Sequence, residues 1–177
     1  VSACVAMALD RHMNQNNTLT IFNAQGETIE GAVNDKTLPM AWDFPEPNPF
    51  SGLTGSLQNA VSWVVNFLDS ITREEGFNCS AEVVRGSATN LMFGRNLFDA
   101  IVTDPPYYDN VSYAVLSDFF YSWLKRSIGA LFPEHFASLG APKKNEIVMD
   151  SERHGGDANA AAVAYQQMME TSFREAW

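Results

Sequence analysis

The chain has 177 residues, 46% of them hydrophobic, and a net charge of −10. That length and apolar content suit one ordinary domain with a buried core, which excludes a disordered or fibrous chain. The apolar runs break at Asn, Asp or Ser well short of the roughly 18 residues of a membrane-spanning helix, so no membrane partner is expected. The acidic balance reads as a solvated surface, and any basic footprint for nucleic acid must lie mostly outside these residues.

Cys4 and Cys79 are far apart and sit in no CxxC spacing, which argues against a disulfide framework or a zinc site and points to a reducing, cytoplasmic setting. His12, His135 and His154 stand in unrelated contexts and read as surface or capping residues, so no metal is expected. The chain starts at Val1 without a basic leader, and Trp177 falls inside a helical pattern; we expect a piece of a longer polypeptide.

In chain order, residues 1 to 13 predict a helix with Val1, Val5, Ala8, Leu9 and His12 near one face, stopped by Asn14-Gln15-Asn16-Asn17. Residues 18 to 33 read as a weak hairpin around Gln25-Gly26. From Leu38 to Pro49, four prolines remove backbone donors and predict an extended loop. A helix is expected from Ser56 to Ile71, where Leu57, Val61, Val64, Val65, Leu68 and Ile71 recur at helical spacing and Gly76 lies just beyond the end. The short β-branched runs Ala81–Arg85 and Phe98–Thr103, bounded by Gly and Pro, predict buried strands of a parallel sheet. A helix from Ser112 to Ser127 follows, with Leu116, Phe119, Phe120, Trp123 and Leu124 on one face, Lys125 and Arg126 in its last turn and Gly129 at its stop. The last helix is expected from Asn159, with Val163, Met168, Met169, Phe173 and Trp177 turned inward. Strand, loop and helix in this order predict an α/β fold.

In such sheets ligands bind where loops leave the carboxyl ends of strands, and Asp104 occupies that place. Pro105 and Pro106 stiffen the backbone behind it, and the ring of Tyr107 follows immediately. This arrangement suits an exocyclic amino group on a flat heterocycle, whose lone pair is delocalised into the ring. Acceptors on its two hydrogens, here Asp104 and the Pro105 carbonyl, favour the pyramidal nitrogen that can attack a methyl group, while Tyr107 stacks on the base. An Asp before Pro also opens ordinary turns, and only the expected strand before and helix after the motif separate the two readings. Tyr108, Asp109 and Asn110 stand where a substrate base and its neighbours would pass; alternatively Asp109, Asn110 and Ser112 cap the following helix.

The stretch from Phe98 through Asp104-Pro105-Pro106-Tyr107 to Leu124 resembles the DNA amino-methyltransferases with the Asp/Asn-Pro-Pro-Tyr signature. It is most similar to the large adenine-specific DNA methylases that carry a zinc-ribbon insert. Leu38–Phe44, Asn48-Pro49-Phe50 and Arg153-His154-Gly155-Gly156 carry the same resemblance. It implies a Rossmann-like methyltransferase fold, incomplete here, in which 1–50 is a lead-in and 51–177 the α/β portion. It further implies S-adenosylmethionine as cofactor and methyl donor, adenine N6 in DNA as acceptor, and the remaining domains of the same polypeptide as partners. Methylation of guanine N2 in RNA and an inert scaffold derived from a methyltransferase are the alternatives.

Two departures from the family pattern bear on the cofactor. Where the family has Gly-Asp-Ala, this chain has Gly86-Ser87-Ala88, so Ser87 is an uncharged cofactor contact beside Asp104. Phe50-Ser51-Gly52-Leu53-Thr54-Gly55 is the only candidate for the family's Phe-x-Gly-x-Gly loop, and its Pro-rich approach suits a loop opening the helix at Ser56 better.

Overall fold

The computed structural model describes residues 1–33, 42–73, 81–109 and 111–177. Leu38–Ala41, Gly76, Cys79 and Asn110, each singled out above, lie outside the described residues. The elements are α1 (Ser2–Gln15), β1 (Ile21–Asn23), β2 (Thr28–Glu30), α2 (Leu57–Arg73), α3 (Tyr113–Ile128) and α4 (Ala158–Ala176), with a short 3-10 turn at Glu152–His154. They fall into two compact units, Val1–Asn78 with Val115–Ala141 and Cys79–Ala114 with Pro142–Trp177.

In the first unit, α1 and α2 pack together with Ala6, Ala8 and Ala60 buried, small side chains that let two helices approach closely. The Arg11 guanidinium lies 4.7 Å from the centre of the Trp63 ring. The polar stop acts as its composition predicts: the Asn17 amide donates to the Met13 and Asn14 carbonyls, and its side-chain oxygen accepts from Leu19 N–H. β1 and β2 form an antiparallel hairpin with Phe22 opposite Ile29, and the Asn23 side chain accepts from the Gln25 and Gly26 amides to shape the turn. A side-chain carbon on Gly31 would lie 2.5 Å from the Asn14 amide, so a larger residue where the hairpin meets the end of α1 would have to displace the Asn14 side chain, which also accepts from Val33 N–H. The segment after α3 folds back on that helix through Tyr121 Oη to the Ser138 carbonyl and Ala141 N–H to Asp118.

Burial departs from expectation more than element placement does. On α1, Val5 is exposed and Ala6, Ala8, Asp10 and His12 are buried. The apolar stripe of α2 faces outward at Val61, Val65, Leu68 and Ile71, and Val163 and Phe173 on α4 and Trp177 just after it are exposed. Ala81–Arg85 and Phe98–Thr103 form no strand. Among the described residues neither run has a partner strand, and β-branched residues take up a pleated ladder only against one. The only sheet among the described residues is the two-stranded hairpin. No described helix is long and apolar enough to cross a membrane.

Candidate active site

The loop at Asp104 is built from its backbone outward. Two successive prolines fix two φ angles and contribute carbonyls without amides. The Pro106 carbonyl accepts from Tyr108 N–H at 3.1 Å and from Tyr165 Oη of α4 at 2.8 Å. The backbone then turns through Tyr108 at φ 57°, a left-handed conformation that a non-glycine residue keeps only where its surroundings impose it. They do so here: the Tyr108 carbonyl accepts from Met149 N–H at 3.1 Å, and its ring meets Tyr165 edge to face with centres 5.1 Å apart.

On this frame the side chains of Asp104 and Tyr107 meet. Tyr107 Oη donates to Oδ1 of Asp104 at 2.9 Å and lies 3.2 Å from Oδ2. That hydrogen bond first, and the carboxylate charge second, hold the Tyr107 phenol above its ordinary pKa. The tether fixes the ring beside the acceptor, with more than half of its surface open to solvent. An ionised carboxylate has about four acceptor positions, so Asp104 keeps room for an incoming N–H while it holds Tyr107. The Pro105 carbonyl receives no hydrogen bond from any described residue.

The loop's supports come from far along the chain. Glu146 Oε1 accepts from Ala114 N–H at 2.8 Å in the first turn of α3, satisfying one of the amides that a helix start leaves free. Arg153 spans Glu146 at 2.5 Å, Asp150 at 3.0 Å and the Lys143 carbonyl at 2.8 Å, and so organises the segment from which Met149 reaches Tyr108. Gly155 and Gly156 follow at φ 66° and 91°, conformations that favour glycine, and Asp157 then caps α4 by accepting from Asn159 and Ala160 N–H. The motif Arg153-His154-Gly155-Gly156 is therefore the turn that launches the helix carrying Tyr165. Sequence reading missed Tyr165 and Glu146; Arg153 beside two glycines was the one signal for this support.

The remaining expected site residues fare differently. Asp109 is exposed in the turn after Tyr108. Ser87 Oγ is 2.8 Å from Thr89 Oγ1 and accepts from Thr89 N–H, while its carbonyl accepts from Asn90 N–H. Its hydroxyl takes part in its own turn. Phe50–Gly55 opens α2: Gly52 and Gly55 take φ 70° and 87°, Ser56 Oγ accepts from Asn59 N–H, and the Gly55 carbonyl accepts from His12 Nδ1 at 2.8 Å. His12 is thus a buried link between α1 and this loop rather than a surface residue, and Asn16 donates to its Nε2. The described residues therefore do not fit a complete S-adenosylmethionine cradle. Among them no three His, Cys, Asp or Glu side chains gather to hold a metal ion. Compared with family models, curated proteins and solved structures, the chain matches none.

Proposed function

We propose that Asp104, Pro105, Pro106 and Tyr107 hold an exocyclic amino group for methylation, with adenine N6 in DNA as the acceptor. The observation that carries this reading is the Asp104–Tyr107 pair: an acceptor and an open aromatic face locked side by side by a 2.9 Å hydrogen bond, on a loop whose backbone is tied at Pro106 and Tyr108. The carboxylate and the Pro105 carbonyl, which no described residue engages, are the two acceptors that a planar amino group requires, and preorganised acceptors of this kind cost no rearrangement during reaction. Tyr107 offers the base a stacking surface once it leaves its duplex partner.

In this reading S-adenosylmethionine supplies the methyl group. Further parts of the same polypeptide hold it and complete a Rossmann-like sheet, and the protein works in the reducing cytoplasm. The engaged hydroxyl of Ser87 favours a second reading, an inert scaffold that kept the loop without the cofactor. Incubating the whole polypeptide with labelled S-adenosylmethionine and either DNA or RNA, then digesting to nucleosides, tests the proposal. N6-methyladenosine of the deoxy series is expected. N2-methylguanosine from RNA would replace the substrate, and no labelled nucleoside from either polymer would favour the scaffold.

A further inference from the structure

We infer that Tyr165 is a positioning residue for the Asp104–Tyr107 loop, its hydroxyl deciding which of the two proline carbonyls is left to receive the acceptor base. The inference rests on the amino-methyltransferase reading and adds to it a residue 59 positions away in the chain.

A carbonyl oxygen has two lone pairs. At Pro106 one takes Tyr108 N–H at 3.1 Å and the other takes Tyr165 Oη at 2.8 Å, so this oxygen has no capacity for a ligand. The Pro105 carbonyl, which no described residue engages, is the one left over. Neither proline can donate; the Tyr108 amide takes one lone pair of Pro106, and only Tyr165, from far along the chain, fills the second.

Tyr165 also holds the turn that follows. Its ring packs edge-on to Tyr108 at 5.1 Å, against the residue at φ 57° whose own amide and carbonyl are both engaged. A left-handed tyrosine is costly, and removing the Tyr165 hydroxyl frees one lone pair of Pro106 and weakens the set of contacts that maintain it. Two orientations of the Pro105–Pro106 carbonyls then compete, only one of which presents the pair Asp104 and Pro105 to an amino group. The Tyr165 hydroxyl is bonded to Pro106 and not to either of those two acceptors, so its effect on reaction runs through the loop.

The test is Tyr165→Phe in the whole polypeptide, which keeps the ring and the helix and deletes one oxygen. The expected result is a fall in kcat of about five- to tenfold, with KM for DNA within about twofold and Tm lowered by no more than a few degrees, as for the loss of one hydrogen bond. Hydrogen exchange at the Tyr108 amide should accelerate, because its acceptor is the carbonyl that Tyr165 steadies. A lowered Tm with wild-type kcat would mean a purely structural tyrosine and overturns the inference, as does wild-type behaviour in both kcat and exchange. A wild-type protein that transfers no methyl group overturns it through its premise instead, which separates the failure of the proposed function from the failure of the clamp.

Discussion

Two loops of this molecule invite a ligand by composition, and they use their groups in opposite ways. Phe50–Gly55 has the glycines of a cofactor loop, yet its carbonyl at Gly55 is bound by the buried His12, a side chain on Gly55 would touch Ile29, Pro47 and Gln15, and Ser56 ends it as a helix cap. Asp104–Tyr108 has no glycine, and its backbone is tied at Pro106 and Tyr108 while Asp104 and Tyr107 stay open to solvent. The difference teaches that a ligand loop is recognised by what remains unspent after the chain has satisfied its own polar groups, and glycine content does not report that.

Asp104→Ala draws the sharpest contrast between the loops. Methyl transfer by the whole polypeptide should fall by about 10²–10³, the usual cost of removing one preorganised group, while Tm moves little because the side chain is exposed. Labelled methyl incorporation measured beside a thermal melt checks both halves. The converse substitution is His12→Ala, which removes the buried donor to Gly55 and should cost about 1–3 kcal/mol of stability in denaturant unfolding. The kcat of the folded protein should be unchanged; a large loss of kcat with normal stability would make the glycine loop the chemical one.

The helix that carries His12 also carries Asp10, which is buried, has no hydrogen-bond partner for Oδ1 among the described residues, and has its pKa raised from 3.8 to about 6 by burial. The folded state therefore holds the Asp10 proton more tightly than the unfolded chain does. Its stabilising contribution is complete below about pH 4 and is lost as pH rises through about 6. Wild type minus Asp10→Asn should lose at most about 2 kcal/mol between pH 4 and pH 7, solvent screening included, and a pH-independent difference would contradict this. The smallest effect is expected at the Tyr107 hydroxyl. Tyr107→Phe should leave KM for DNA within about threefold, whereas Tyr107→Ala, which removes the stacking face, should raise it about tenfold.

Elements whose signals are local were legible in the sequence. The periodicity that ended the second helix at Ile71 and the third at Ser127 came within two residues of Arg73 and Ile128, and the turn at Gln25-Gly26 lies between β1 and β2. Helical spacing reports the backbone, since every hydrogen bond of a helix closes within the segment. It did not report burial: α1 hides Ala6, Ala8, Asp10 and His12, because which face is covered depends on the partner and not on the helix. Val83 and Val102 read as strand residues and are exposed in irregular chain, since a strand needs a neighbour that no local pattern supplies. At the candidate site Asp104 and Tyr107, three residues apart, could be paired from the sequence. Tyr165, Glu146 and Met149 could not, because their partners at Pro106, Ala114 and Tyr108 are fixed only by the turns between them.

The central claim, that chemistry belongs to the proline loop and not to the glycine loop, is tested most directly by mapping amide resonances of these residues in the whole polypeptide during titration with a short single-stranded adenine-containing oligonucleotide. A single strand removes the cost of extruding the base, so binding reports the loop alone. Shifts are predicted at Asp104, Tyr107 and Tyr108, with Gly52, Gly55 and Ser56 unmoved and the pattern at the proline loop abolished by Asp104→Ala. Shifts centred on Gly52–Ser56, or a proline loop that stays silent at saturating oligonucleotide, would contradict the account.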